Sequence, residues 1–303
     1  MIASRQIRSL SRRSTHTMCV IKCIATAIIC FVGTCLIGIS MSHFHSPYFR
    51  RFNSSIDLIS IGTVNRKDAH AECLQTIFRR TFLYNEESPG VEKCVVCKSK
   101  SFGRHPTNDA WFWKSDGWWC AQKRPLAALV HYFESTKILP NWLLVVDDDT
   151  FINPLSLKLL LRSLSSSELL YMGDTIGTEF IAGGGGWLIS NAVMEALKGS
   201  HNVRGNSEMP VKSCLAKQQG GSMCWYHSDW AIASCILTTC NIQPTHSPLF
   251  QQYSSTLWFT NRNISTVNCP LDRNSCPPCK STSVTCHKFN WKEQMKAIDM
   301  LLN

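Results

Sequence analysis

The sequence predicts an α/β domain with a mostly parallel sheet, carried behind an N-terminal apolar helix. Three observations predict it. Strand-like apolar runs alternate with segments of helical spacing from Asp57 onward. One of those runs, Trp142-Leu143-Leu144-Val145-Val146, is unbroken and ends in three aspartates, the pattern of a central strand buried on both faces. A charge-free stretch from Cys23 to Ile39 lies well ahead of all of them.

That stretch is long enough to cross a membrane. Met18 to Met41 carries one charge, Lys22, near its start, and a spanning helix needs about 17–25 largely apolar residues. Arg5, Arg8, Arg12 and Arg13 precede it with no acid among them. The positive-inside bias therefore expects residues 1–17 as a cytosolic tail, 18–41 as a signal-anchor, and everything beyond in the lumen. The alternative is a cleaved signal peptide with Gly38-Ile39-Ser40 as its small-x-small site; the long basic leader and apolar run favour the anchor. Lumenal placement accords with the sequons Asn53-Ser54-Ser55 and Asn263-Ile264-Ser265. It also accords with cysteine usage: of 16 cysteines only Cys19, Cys23, Cys30 and Cys35 fall in or beside the span, and the others read as disulfides of an oxidising compartment. Lys22 and the four leader arginines account for half of the net charge of +10, so no dense basic patch of the nucleic-acid-binding kind is left for the lumenal part.

Residues 42–55 read as a stem, and 56–268 as the folded domain. Asp57–Ile61 is expected as the first strand, with Gly62-Thr63 as the turn after it. Ala69–Leu83 shows helical spacing at Leu74, Ile77 and Phe78. Residues 85–120 are irregular and hold Cys94, Cys97, Cys120 and four tryptophans, Trp111, Trp113, Trp118 and Trp119. Pro125 opens a helix whose buried face is Leu126, Leu129, Val130 and Phe133. After the central strand, Asn153 and Pro154 read as the N-cap and first residue of the next helix. Leu169–Met172 is expected as a strand, 190–198 and 229–238 as helices, and Cys240–Thr245 as strand-like. Residues 269–303 form a Cys- and Pro-rich extension.

Three constellations carry chemistry. Asp147, Asp148 and Asp149 repel one another at the end of a buried strand unless a cation neutralises them, and a hard divalent ion does so through oxygen ligands. Strand alternation turns Asp147 and Asp149 to one side and Asp148 to the other. The alternatives are a solvated acidic turn or an Asx helix cap, but the buried apolar strand before the triplet and the lumenal setting favour the metal. Gly183-Gly184-Gly185-Gly186, between Phe180 and Trp187, leaves bare backbone for a phosphate or a sugar to approach. Asp229, in His227-Ser228-Asp229-Trp230, is either a helix cap or a general base. Cys94-x-x-Cys97 with Cys276-x-x-Cys279 has the pair spacing of a zinc site, but an oxidising compartment favours disulfides.

In this order the pieces resemble the fringe and core 1 β1,3-galactosyltransferase branch of glycosyltransferase family 31. The resemblance rests on Trp142–Asn153 with its aspartates, Tyr171-Met172-Gly173, Phe180–Ser190 with its glycines, Ser228-Asp229-Trp230-Ala231-Ile232, and a histidine toward the C-terminal side. It is specific from Lys123 to Leu249. It implies a Rossmann-like GT-A domain and inverting, Mn²⁺-dependent transfer from a UDP-sugar to a glycan or glycoprotein, usually in a β1,3 linkage. The setting would be the Golgi or ER membrane, with homodimers among the expected states. On that pattern Asp149, Asp147 and His246 hold the metal, and Asp147 and Asp148 also help hold the donor. Gly183, Gly184 and Gly185 border the donor sugar, Thr63 and Arg66 lie near uracil and ribose, and Asp229 is the catalytic base; Ser228 stands where the family pattern has an acid. The alternatives are a lumenal chaperone or scaffold that kept the fold without turnover, and a Cys-rich binding module using the tryptophans near 111–119.

Overall fold

A computed structural model describes residues 55–62, 74–75, 77–85, 87–88, 120–200, 208–224, 226–252, 256–259, 262–265, 279–280 and 282–287. The expected membrane span lies outside these residues; among them no helix is long and apolar enough to cross a membrane. The tryptophans at 111–119 and the first Cys-x-x-Cys pair also lie outside.

The strands in chain order are β1 Ile56–Ile61, β2 Thr81–Tyr84, β3 Trp142–Asp147, β4 Phe151–Ile152, β5 Tyr171–Gly173, β6 Thr175–Ile176, β7 Phe180–Ile181, β8 Trp187–Ser190, β9 Thr245–His246, β10 Phe250–Gln251, β11 Thr256–Phe259, β12 Arg262–Ser265, β13 Cys279–Lys280 and β14 Thr285–Cys286. The helices are α1 Arg124–Ser135, α2 Pro154–Arg162, α3 Asn191–Lys198, α4 Pro210–Gly220 and α5 Ser228–Cys240. The main sheet has the order β2-β1-β3-β8-β5-β9. Its β1–β2, β1–β3 and β5–β9 pairs are parallel, whereas β3–β8 and β5–β8 are antiparallel. Three of its five pairs are thus parallel and five of its six strands run the same way, the mostly parallel sheet that the sequence predicts, with β8 alone reversed. The cause is local: no α-helix lies between β5 and β8, and a return without a helical crossover runs antiparallel.

β3 is the central strand that its apolar run predicts. Leu143 and Val145 join the core under α1, α3, α4 and α5, while Leu144 and Val146 are buried as well. Pro125 sits in the first turn of α1, and Leu126, Leu129 and Phe133 on that helix are buried. The α2 cap forms as the Asn-Pro pair predicts: the Asn153 side chain accepts from the N–H groups of Leu155 and Ser156. A disulfide between Cys214 and Cys235 ties α4 to α5. Cys120, Cys224 and Cys286 are also disulfide-bonded, and Cys240 is free.

Two expected elements come out differently. The helix expected to reach Leu83 is already broken by Phe78, and Thr81–Tyr84 instead forms β2, a parallel neighbour of β1. The stretch from Cys240 is not strand-like until Thr245. α5 runs through Cys240 and stops at Asn241, whose left-handed φ of 56° closes the helix. At the far end of β1 the buried Asp57 accepts from the Tyr132 hydroxyl (2.7 Å) and pairs with Arg80 (3.1 Å), joining β1, α1 and the approach to β2.

A second, three-stranded sheet, β10-β14-β4, places the site. β4 directly follows the aspartates. It pairs antiparallel with β14, and β14 pairs parallel with β10. The N–H of Asn153 donates to Val284 O (2.8 Å) and that of Val284 to Leu249 O (2.7 Å). Residues 282–287, part of the expected C-terminal extension, are thus stitched to the chain just beyond the acidic triplet.

Candidate functional site

The site begins where β3 ends. The N–H of Asp148 donates to Ile61 O (2.8 Å) and that of Thr150 to Asp147 O (3.1 Å), so the triplet turns sharply beside the end of β1. Asp148 turns toward β1: a Cβ placed on Gly62 would fall 2.5 Å from its Cβ, so Gly62 leaves room for this side chain. Arg124, opening α1, donates from Nη1 to Gly62 O (2.9 Å) and holds the same corner.

Asp147 and Asp149 turn the other way, as alternation predicts, and meet a histidine. That histidine is His287, immediately after β14. Its Nε2 lies 2.9 Å from Asp149 Oδ1 and 3.8 Å from Asp147 Oδ2. One ligand atom from each of the three residues falls within 4.8 Å of the others, a set that can hold a metal ion. The donor chemistry fits: two carboxylate oxygens and an imidazole nitrogen suit a divalent metal ion. His287 is buried, and its Nδ1 lies 3.2 Å from Gln252 O. Donation of an Nδ1 proton to that carbonyl would leave the Nε2 lone pair for a cation, the usual outer support of a ligating histidine.

The charge balance also calls for a cation. Burial pushes the Asp147 carboxyl up to about 7, with Asp149, Asp229 and Asp148 adding to the rise and His287 opposing it. Since 43 % of the Asp147 side chain still meets solvent, water moderates the burial effect, and the three neighbouring carboxylates remain as a lasting cause.

His246, the histidine favoured by the sequence pattern, stands elsewhere. It lies on β9 at the sheet edge, half-exposed, with Nδ1 3.2 Å from Thr175 Oγ1 and 3.9 Å from Asp174 Oδ1. The structure brings His287 rather than His246 to Asp147 and Asp149. The one local signal in the sequence is the β-type run Ser283–Cys286 that leads into this histidine, and it does not by itself mark a ligand.

Asp229 lies in the first turn of α5, where the helix dipole favours an anion. It is not the cap. The cap position belongs to His227, whose side chain makes no capping bond. Ser228 Oγ lies 2.9 Å from both Asp229 Oδ1 and Gln122 Oε1, and the Ser228 N–H also donates to Gln122 Oε1 (3.1 Å). Asp229 Oδ2 faces His227 Nδ1 at 4.0 Å. Phe180, Tyr226 and Trp230 gather around the same helix start, with Trp230 tilted against the His227 ring at 4.8 Å.

The glycine run lies between these two groups. Gly183–Gly185 is one turn of 3₁₀ helix, closed by Gly186 N–H donating to Gly183 O (2.8 Å). Thr150 Oγ1 donates to Gly184 O (2.7 Å), Thr285 Oγ1 donates to Gly185 O, and the Gly185 N–H donates to Gln252 Oε1. The N–H groups of Gly185 and Gly186 are thus engaged within the protein. Thr63 and Arg66 lie outside the described residues.

Fold and site together define an α/β domain with a cation-competent acidic cluster where β3 ends and a separate carboxylate across a glycine turn. The Fringe-like family model matches residues 119–295, more than half of the chain, and the chain belongs to the Fringe-like family. The match continues through β14 and so includes His287. The chain is also similar to two beta-1,3-glucosyltransferases. The mouse protein is 29% identical over 119 residues, covering 37% of this chain and 21% of that protein. The human protein is 29% identical over 158 residues, covering 48% and 27%. The matched region spans about a quarter of the length of those relatives.

Proposed function

We propose that this protein is an inverting, metal-dependent glycosyltransferase. It moves a hexose or N-acetylhexosamine from a UDP-sugar to a glycan acceptor, forming a β1,3 linkage. The observation that carries the reading is the pair of unlike acidic groups: Asp147 and Asp149 gathered with His287, and Asp229 set apart across the glycine turn. Because the two relatives are beta-1,3-glucosyltransferases, UDP-glucose is among the donors to try first.

Asp149, Asp147 and His287 would hold the metal, with His287 in the place the family pattern suggested for His246. Mn²⁺ bound there would offset the charge that builds on the departing diphosphate. Asp229 takes the proton of the acceptor hydroxyl while that oxygen bonds to the anomeric carbon and the bond from that carbon to the diphosphate breaks. UDP leaves with the electron pair, and the configuration at the anomeric carbon inverts. Asp148, beside Gly62, faces the end of β1, where the ribose and uracil of the donor are expected. The basic leader and apolar run at 18–41 support a type II anchor and transfer in the Golgi or ER lumen.

Two substitutions separate the two acidic roles in the purified full chain. Asp149→Asn is expected to remove metal-dependent UDP-sugar binding. Asp229→Asn is expected to keep that binding and lower transfer by about 10²–10⁴, the ordinary weight of a general base. Full transfer by Asp229→Asn would refute the assignment.

A further inference from the structure

A glycine is required either for backbone freedom or for space. Among Gly183–Gly186 only Gly186 has a left-handed φ, at 78°. Gly183, Gly184 and Gly185 keep backbone conformations open to any L-residue, so space decides there. The space is filled by the protein itself. A Cβ on Gly183 would fall 2.5 Å from Asp229 Oδ1. A Cβ on Gly184 would fall 2.3 Å from His287 Cε1, 2.5 Å from its Nδ1 and 2.6 Å from Gln252 Oε1. Neighbouring residues of one turn therefore bear on Asp229 on one side and on His287 on the other. The turn is braced by the two threonine hydroxyls and by Gln252.

We infer that Gly183 and Gly184 are positioning residues with separable duties: Gly183 sets the Asp229 carboxylate, Gly184 sets the His287 imidazole, and the turn between them fixes the spacing of proton acceptor and metal centre. The inference rests on the glycosyltransferase reading. It differs from a reading in which the glycines only make room for the donor, because each missing side chain is accounted for by a different functional group of the chain. Under room-for-donor, alanine at either position would weaken donor binding.

The test is a pair of alanine variants of the full chain, assayed for Mn²⁺-dependent UDP-sugar binding and for transfer. Gly183→Ala is expected to keep half-saturating Mn²⁺ and donor Kd within about threefold of wild type. Its transfer rate should fall by about a hundredfold, the scale of an ångström-sized misplacement of a catalytic group. Its retained donor binding would itself report a folded site, and the clash it creates is with the movable end of one side chain. Gly184→Ala is expected to raise half-saturating Mn²⁺ by about tenfold or more, with transfer recovering as metal is added. Equal losses of donor binding and transfer in both variants would overturn the inference, as would wild-type transfer by Gly183→Ala. If Gly184→Ala does not fold, Gly183→Ala alone decides: binding kept with transfer lost upholds it, and both lost together overturns it. Wild-type UDP release that needs Mn²⁺ is established first. Failure of the wild type both to release UDP from any donor and to bind one would refute the glycosyltransferase reading, and this inference with it, whereas matching phenotypes in an active enzyme refute the inference alone.

Discussion

Thr150→Val and Thr285→Val remove one donor each from the brace that holds the glycine turn. Both threonines are fully buried, and their hydroxyls donate to the adjacent carbonyls of Gly184 and Gly185. Valine keeps the shape and β-branching, so little cavity forms, and the main change is a buried carbonyl deprived of its donor. A lost partner of that kind costs about 1–3 kcal/mol, partly offset by the added methyl group, so about 1–2 kcal/mol is expected for each variant. For a domain of this size that corresponds to a fall in Tm of about 2–8 °C. Chemical denaturation followed by tryptophan fluorescence reads the difference. Thr150→Ser, which restores the hydroxyl, should recover most of it. Because the two carbonyls belong to one turn, the double variant should depart from additivity by about 0.5 kcal/mol or more. If both valine variants lie within about 0.3 kcal/mol of wild type, the two hydroxyls do not brace the turn.

Other outcomes follow from the same geometry. His287→Ala should raise half-saturating Mn²⁺ by at least about tenfold, whereas His246→Ala should leave it near wild type; a metal titration of UDP-sugar binding distinguishes them, and the reverse pattern would return the ligand role to His246. Metal affinity should depend on pH with a definite sign. The Asp147 carboxyl, pushed up to about 7, holds a proton below that pH, and a cation must displace it. Affinity is therefore full above about pH 7 and falls below it by at most about tenfold per pH unit for this one proton. In the metal-free protein the same shift acts oppositely on stability: its contribution is present below the ordinary carboxyl value of 3.8 and is lost as pH rises through about 7. Mn²⁺ should thus raise Tm more at pH 8 than at pH 6. Removing the Cys214–Cys235 link with paired alanines opens a loop of sequence separation 21. Loop-closure entropy puts the cost near 3 kcal/mol, read by denaturation of the oxidised protein.

Much of the fold was legible because local chemistry and tertiary role agree in it. The run Trp142–Val146 is apolar at every position because it lies in mid-sheet with helices on one face and further buried structure on the other. Asn153-Pro154 caps a helix wherever it leads one. β2 was hidden because Leu74, Ile77 and Phe78 carry a helical period up to its start, and an edge strand with half-buried side chains has no strong signature of its own. β8 was not expected as a strand: Trp187–Ser190 is a four-residue run between the glycines and the next helix, and the one reversed strand of the sheet thus went unannounced as well. In the site, the acidic triplet stood out because three carboxylates at the end of a buried strand need a reason, whereas Asp229, as readily a helix cap, was marked as a base only by the family resemblance. His287 did not, because its partner Asp149 is remote in sequence and the pairing exists only through β4 and β14. The glycines were visible as missing side chains, but a sequence does not say whether a ligand or the protein fills the gap. Here Asp229 and His287 fill it.

Whether this chain is a metal-dependent transferase is decided by UDP release from the purified full chain. UDP-glucose, UDP-galactose, UDP-N-acetylglucosamine and UDP-N-acetylgalactosamine would each be offered with a panel of glycan acceptors, in Mn²⁺ or in EDTA. Release is expected from one donor, requiring Mn²⁺ and abolished by Asp149→Asn. Release that persists in EDTA would contradict the metal role of Asp147, Asp149 and His287. Failure of every donor both to react and to bind would contradict the transferase reading itself.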